Sequence, residues 1–587
     1  MEFSIQKVRK IAIMLLLAAV AALQPAWSQT KPAAKPIEAP AADPWWKHAV
    51  FYQIYPLSFQ DTNGDGKGDL KGITQRLDYL KTLGVDAIWL TPVYPSPLVD
   101  FGYDISNYVA IDPVYGTMAD FDKLIAEAKK RDIRVIMDFV MNHTSDKHPW
   151  FIESASSKTN PKHDWYVWRD GKGPGQPPNN WQSGFGHSAW EFDPKRNQYY
   201  YHHFYIQQPD LNWDNPKVKA AMFNAARFWL KRGVAGFRLD AVDTLFEDPQ
   251  FRDAEVLKDA DGKPRANYFG DPMLDQSLTV NLPKLHEVLA GLRVVTDSFP
   301  EQRVLIGETY MPNVAELLKM YGVNNDELQL PMDTQLGMIN KLDVPAFRQK
   351  ILEAETGLND NLPLFVFDNH DNPRMDVRYG DGVHNDDIQR VLSTVLFTTR
   401  GAALMYYGDE IGMKTTPPAR KEDVKDPIGV LGWPNFKGRD GERTPMQWDD
   451  SANAGFTTGT PWLPIPDTYK TVNAKAEVMN FNSLLNWYKQ LIELRRSQPS
   501  LRDGNNVMLN TTDNNVLSWL RQASGKPAVV VSCNFTAQPQ KVSIDLTGVG
   551  LGGKSARTLM KTPGSSDPAS LKEIELPPFG VYIGEVQ

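Results

Sequence analysis

The chain has 587 residues, 42% of them hydrophobic and 23% charged, with a formal net charge of -8. That length exceeds what one simple core accommodates and predicts two or three domains. The acidic balance and the lack of a basic stripe argue against nucleic acid or an anionic membrane as partner. The 16 Trp and 21 Tyr point mildly toward flat, hydroxylated ligands such as sugars, although any large barrel buries many aromatics.

In chain order, Lys7, Arg9 and Lys10 precede an apolar run from Ile11 to Leu23, and Ala26-Trp27-Ser28 offers small residues for cleavage. This reads as a signal peptide over residues 1–28, too short in its apolar part to span a bilayer comfortably. It predicts an exported protein, periplasmic or secreted. Residues 29–44, rich in Ala, Pro and Lys, read as a linker. No later stretch is apolar enough to cross a membrane. The single cysteine, Cys533, cannot form an internal bridge and reads as a buried strand residue.

Strand-like runs follow at 50–56, 87–92, 135–140, 236–241, 304–309, 327–333, 364–371 and 403–410. Helical patterns lie between most of them, among them Met118 to Arg131, Val218 to Lys231 and Leu282 to Ser298. Alternating strands and helices imply βαβ units and a parallel sheet. The fold expected is therefore α/β, a (β/α)8 TIM barrel built from residues 45–142 and 214–502. Residues 143–213, rich in Pro, Gly, Asn, Trp and Tyr, read as an inserted subdomain after the third strand. A long irregular stretch, Lys414 to Asp467, follows the eighth strand, then a helix from Asn480 to Ser497. Residues 503–587 read as a C-terminal antiparallel β-domain through NVLSWLRQ, AVVVSCNF, KVSIDL and VYIGEV.

Several of the barrel strands end in acids or histidines, and those ends converge on one face. Asp240, Glu308 and Asp371 are such a set, and Arg238, two residues before Asp240, projects to the same side of its strand. Cleaving a glycosidic bond needs two carboxyl groups, one a nucleophile or base and one a proton donor with a raised pKa. A guanidinium beside Asp240 would keep it ionised. His143 and His370 could donate hydrogen bonds to sugar hydroxyls.

The segments DFVMNH, GFRLDAVD, GET and FDNHD resemble, in order, the four diagnostic strand-end motifs of glycoside hydrolase family 13, the α-amylase superfamily. QPDLN (Gln208 to Asn212) resembles a fifth, in its oligo-1,6-glucosidase subfamily form. The resemblance implies Asp240 as nucleophile, Glu308 as general acid/base and Asp371 as transition-state stabiliser. Arg238, His143 and His370 would line the subsite that holds the cleaved glucosyl unit. It implies a retaining mechanism through a covalent intermediate, with the two carboxyls about 5–5.5 Å apart. DFGYD (Asp100 to Asp104) and ERTPMQWD (Glu442 to Asp449) resemble the two segments that close the pocket of exo-acting members. Asp100, Tyr103 and Arg443 carry that likeness, with Arg443 expected to pair with Asp100. Ala241, directly after Asp240, tilts the linkage preference toward α-1,4, since similar enzymes with Val there act on α-1,6 bonds.

DTNGDGKGD (Asp61 to Asp69) places oxygen ligands at alternating positions, with Gly66 at the turn, like the opening of a calcium loop. It lacks the bidentate Glu of an EF-hand, because position 12 is Gly72. Resemblance to similar α-glucosidases implies one structural Ca2+ or Mg2+ held by Asp61, Asn63, Asp65, the Lys67 carbonyl and Asp69. No zinc spacing, phosphate loop or organic-cofactor motif is present, and His202-His203 reads as part of an aromatic strand. Taken together the sequence predicts an exported, retaining, exo-acting α-glucosidase acting on short α-glucosides, maltose and maltooligosaccharides with sucrose or isomaltose as alternatives; it leaves the oligomeric state open, with a monomer favoured. The rival within enzymes is a transglycosylase or isomerase such as trehalose synthase. A non-catalytic homologue is the rival outside enzymes, disfavoured by the complete set of carboxylates.

Overall fold

The computed structural model of the protein describes residues 43–568 and 570–587; the expected signal peptide, and the linker up to residue 42, lie outside them. Residues Trp45–Gln587 form one compact unit. Within it run β1 (Val50–Ile54), β2 (Ala87–Leu90), β3 (Arg134–Val140), β4 (Trp168–Arg169), β5 (Trp190–Asp193) and β6 (Gln198–Tyr201). Then come β7 (Gly236–Asp240), β8 (Val304–Gly307), β9 (Leu330–Asp333), β10 (Leu364–Phe365) and β11 (Ala402–Tyr406). Strands β1, β2, β3 and β7 to β11 close into a parallel barrel in the order β1-β11-β10-β9-β8-β7-β3-β2. All eight expected strands are present.

Alternation decides which side chains fill the barrel and which meet the helices. Phe51, Trp89, Ile136, Val304, Ile306, Leu330, Met332, Leu364 and Leu404 belong to one fully enclosed apolar cluster, the barrel interior. Their neighbours Tyr52, Ile88, Met137, Phe237 and Leu305 face outward into the larger core shared with the helices. The helix Met118–Lys130 starts at a Thr117–Asp120 capping box and buries Phe121, Leu124 and Ala128, the spacing of one helical face. The helix Pro216–Lys231 starts on an Asn215 side-chain cap with proline in its first turn. Going up the interior, the inward row changes from Ile136 and Gly236 to Asp138 and Arg238, and the last inward position of β7 is Asp240. The polar layer is thus a continuation of the apolar one.

The seventh strand of the barrel, β10, is shorter than the 364–371 the sequence predicts. Beyond Phe365 the backbone leaves the ladder because side chains take over its amides: Asn369 Oδ1 accepts from Asp371 and Asn372 N–H (2.8 and 2.9 Å), and Asp368 from Met375 N–H (2.9 Å). That turn swings His370 and Asp371 inward.

In the insertion, β4, β6 and β5 form a three-stranded antiparallel sheet around buried Trp181, Trp190, Tyr199 and Tyr201. His202 and His203 follow β6 rather than extending it; burial pushes each down to about 4. The C-terminal region contains β12 (Asn505–Leu509), β13 (Val516–Gln522), β14 (Val529–Asn534), β15 (Gln540–Val542), β16 (Ala556–Lys561), β17 (Ile574–Leu576) and β18 (Val581–Val586). They form a five-stranded sheet, β12-β13-β14-β18-β16, and a β15-β17 pair. Cys533 lies fully buried on β14, where burial pushes its thiol well up. The sheet is tied to the barrel by buried donors. Arg521 Nη1 and Trp519 Nε1 donate to the Thr398 carbonyl (2.6 and 3.4 Å), and Arg348 Nη1 to the Thr511 carbonyl (2.7 Å). Among the described residues no helix is long and apolar enough to cross a membrane.

Candidate active site

Arg238 organises the barrel mouth. Register pairs it directly with Asp138 on the adjacent strand, and its Nη1 donates to both Asp138 oxygens (3.0 and 3.1 Å) and to Asp240 Oδ1 (2.7 Å). Its Nη2 lies 2.6 Å from Glu308 Oε1. Glu308 Oε2 in turn accepts the Ala241 N–H at 2.9 Å. Ala241 sits at φ 40°, ψ 44°, a left-handed turn immediately after β7. Three carboxyls therefore share one guanidinium in a buried setting. Burial raises Asp240, opposed by Arg238 and reinforced by Glu308, Asp138 and Asp371. Burial also raises Glu308, again opposed by Arg238, and holds Asp138 at about 6. One positive charge cannot hold three negative ones ionised in this medium, so Asp240 and Glu308 titrate as a coupled pair.

Asp371 is the opposite case. Its Oδ1 accepts from Arg439 Nη1 (2.9 Å) and Arg443 Nη2 (2.8 Å), and its Oδ2 lies 3.2 Å from His370 Nε2. Burial would raise it, but His370 and the two arginines outweigh burial and hold it below the usual carboxylate range. His370 itself is pushed well below its ordinary value by burial and by Arg443, Arg238 and Arg439, so the arginines do the work. Gln53 Nε2 is 2.7 Å from His370 Nδ1, which leaves the imidazole proton on Nε2, facing the Tyr103 hydroxyl at 2.6 Å. Tyr103 donates onward to Asp138 Oδ2 (2.9 Å) and stacks on His370 with ring centroids 5.4 Å apart.

The expected partner of Asp100 is corrected by the structure. Asp100 Oδ1 meets Arg439 Nη2 at 2.8 Å, not Arg443. Arg443 instead binds the His370 carbonyl through Nε (2.8 Å) as well as Asp371, and lies over the Tyr55 ring at 5.3 Å. The physical reason is Asp426, which grips Arg439 through its backbone N–H (2.8 Å) and Nε (2.7 Å) and so aims its free edge across the pocket. Burial pushes Asp100 up to about 6 despite Arg439 and Arg443. Gln208 of the QPDLN segment donates to Asp100 Oδ2 (3.1 Å) and lies 3.1 Å from His143 Nε2. An isolated bridge between His143 and Asp210 holds that segment in place. His143 is pushed down to about 3 by burial and is neutral.

A cavity of about 400 Å³ opens over these groups, lined among others by Asp100, Tyr103, His143, Asp240, Glu308, Asp371 and Arg439. Arg238, His370 and Arg443 sit behind that lining and act on the groups in it. Every expected site residue of the barrel is thus brought to one place. Sequence reasoning quoted Asp138 and Gln208 within DFVMNH and QPDLN without giving either a role, and missed Asp426 and Arg439. Strand alternation could have found Asp138, two positions before Val140 at the end of β3.

The Asp61–Asp69 loop is a chain of side-chain-to-amide turns. Asp61 accepts from the N–H groups of Asn63, Gly64 and Gly66 (2.9, 2.9 and 2.8 Å), Asn63 from Asp65 (2.8 Å), and Asp65 from Lys67 (2.9 Å). Asp69 caps the helix Leu70–Gln75 through Gly72 N–H. Gly66, at φ 87°, cannot be replaced: a Cβ there would lie 1.8 Å from the Thr460 carbonyl oxygen. The donor set is all oxygen, the kind a hard cation of the calcium class takes, but Asp61 already accepts two hydrogen bonds on each oxygen, one of them from the Thr457 hydroxyl, and the three carboxylates do not lie within 4.8 Å of one another.

A closed parallel barrel that gathers its carboxyls around an arginine at the strand ends, beneath a pocket of sugar dimensions, is a glycoside-cleaving enzyme in class. Residues 53–504 match the family model "Alpha amylase, catalytic domain", and the chain belongs to glycoside hydrolase family 13. It is 40% identical over 509 residues to a probable alpha-glucosidase of Rhizobium meliloti (strain 1021), covering 86% of this chain and 91% of that protein. It is 37% identical over 524 residues to a trehalose-6-phosphate hydrolase of Bacillus subtilis (strain 168), covering 84% and 90%. The crystal structure of an alpha-glucosyl transfer enzyme, XgtA, superposes with a TM-score of 0.84 at 36% identity, covering 93% of this chain and all of that one.

Proposed function

We propose that the protein is a retaining, exo-acting α-glucosidase that removes terminal glucose from short α-glucosides. The observation that carries this reading is the sharing of one guanidinium by Asp240 and Glu308 while Asp371 is kept ionised by Arg439 and Arg443. The coupled pair holds one proton, and the chemistry assigns it to Glu308. Glu308 gives that proton to the glycosidic oxygen as Asp240 attacks the anomeric carbon and the C–O bond to the leaving sugar breaks. A covalent glucosyl ester on Asp240 results. Glu308, now a carboxylate, takes a proton from water, whose oxygen displaces Asp240 and releases glucose as the α-anomer. Asp371 and His370 grip sugar hydroxyls, and the Asp100–Arg439 pair closes the far end so that one glucose fits.

The same reading gives the Asp61–Asp69 loop a structural calcium ion, remote from the acid–base chemistry, and gives residues 1–28 the role of an export signal. The test is proton NMR during turnover, with maltose to identify the products and an aryl α-glucoside to read the anomer, since every glucose then comes from the cleaved unit. Glucose appearing first as the α-anomer supports the reading; first-formed β-glucose overturns it. The likeness to an alpha-glucosyl transfer enzyme favours a second reading, in which a sugar replaces water as acceptor; it is recognised by a new disaccharide in the same spectra.

A further inference from the structure

Asp243 is a carboxylate of the pocket that this mechanism does not use. It lies in the short turn Val242–Thr244 after β7 and lines the cavity with Asp240, Glu308 and Gln276. Among the described residues no ion pair engages it, and its carboxyl accepts only its own backbone N–H. Burial pushes it up to about 7, and Glu308 is the charged neighbour that pushes it further. Glu308, as proton donor, stands beside the leaving oxygen. Ala241, two residues before Asp243, donates its N–H to Glu308 Oε2 at 2.9 Å, which seats Asp243 on the proton-donor side of the pocket, the side that receives the leaving group.

Charge in the pocket is one-sided. Five lining residues are carboxylic acids, and Arg439 is the single lysine or arginine among them. Arg439 is already spent on Asp100, Asp371 and Asp426. The lining imidazoles His143 and His203 are held neutral, pushed by burial down to about 3 and about 4. A phosphate ester carries about -1.5 to -2 at pH 7. On the leaving-group side it would meet the Asp243 carboxyl, backed by the Asp240–Glu308 pair whose single proton leaves it net negative, with no free donor cation, while giving up its own hydration.

We infer that Asp243 is a specificity-determining residue that excludes anionic leaving groups, 6-phosphorylated sugars above all, and restricts the enzyme to neutral α-glucosides. This rests on the glucosidase reading and sets the chain apart from its relative named a trehalose-6-phosphate hydrolase.

The test compares kcat/KM for maltose with maltose phosphorylated on O6 of the reducing glucose, and for trehalose with trehalose 6-phosphate, in wild type, Asp243→Asn and Asp243→Lys. Glucose and glucose 6-phosphate serve in parallel as competing product ligands. The wild type should favour each neutral substrate by at least about 100-fold. Asp243→Asn should narrow the gap at least about tenfold, and Asp243→Lys further, chiefly through KM for the phosphorylated substrate. Comparable kcat/KM for neutral and phosphorylated substrates in the wild type overturns the inference alone. So does a gap that neither folded variant narrows. No turnover of any of the four substrates overturns the glucosidase reading and this inference with it.

Discussion

Arg439 reaches Asp100 across 339 positions of sequence, with a 2.8 Å contact. The same guanidinium holds Asp371 and Asp426, whereas Arg443 meets only Asp371 among these three. Two arginines four residues apart therefore have different tasks: Arg439 closes the pocket, and Arg443 keeps Asp371 ionised and fixes the turn at His370.

Arg439→Ala leaves two buried carboxylates, Asp100 and Asp426, without their guanidinium and Asp371 with Arg443 alone, and should cost about 3 kcal/mol of stability. It should also raise KM for maltose at least about tenfold. Arg443→Ala should depress kcat more than it raises KM. Steady-state kinetics with denaturant unfolding of both variants checks the contrast, and equal behaviour would refute the division of labour.

His148 caps the helix Pro149–Ser156 by accepting the Trp150 N–H on Nδ1 at 3.1 Å. Burial, with help from Lys162, pushes it down to about 3. The unfolded imidazole takes up a proton near pH 6.5, the folded one does not, so its contribution is fully present above pH 6.5 and is lost as pH falls toward 3. His148→Asn keeps a capping oxygen but cannot titrate. Between pH 7 and pH 5 the wild type should lose about 2 kcal/mol more stability than the variant; parallel urea titrations at the two pH values measure this.

Dialysis against a chelator should lower Tm, and Ca2+ should restore it, gaining about 3 kcal/mol at a hundredfold excess over Kd. Asp65→Ala should abolish the restoration while leaving a folded protein. Calcium-insensitive melting of the wild type would remove the ion from this loop.

Ala241 holds a left-handed backbone at φ 40°, where a β-branched side chain is strained. Ala241→Val should therefore destabilise by about 1–2 kcal/mol. If the family tendency holds at this position, it should also raise the ratio of isomaltose to maltose kcat/KM. Thermal melts and the two kcat/KM values are the readouts.

Much of the barrel was legible in the sequence because strand alternation and terminal acids coincide: Asp240 and Glu308 could be placed at the mouth from FRLD and IGE alone. The shortness of β10 was not legible, since it depends on Asn369 capturing the amides of Asp371 and Asn372. Nor was the Asp100–Arg439 pair. Arg439 lies in an irregular stretch with no period to fix its direction, and only Asp426, thirteen positions earlier, orients it. Local pattern specifies a strand; a loop side chain is aimed by partners that sequence spacing does not reveal.

Arg521 and Trp519 on the C-terminal sheet both spend their donors on one barrel carbonyl, that of Thr398. A recombinant lineage that exchanged this tail for another would leave that carbonyl unanswered, and a transplanted tail would carry a buried guanidinium whose Nη1 has nothing to meet while Nη2 keeps the Gly504 carbonyl. Barrel and tail are therefore inherited as one piece, and a gene truncated before residue 505 should yield a product that proteases clear before it reaches any sugar.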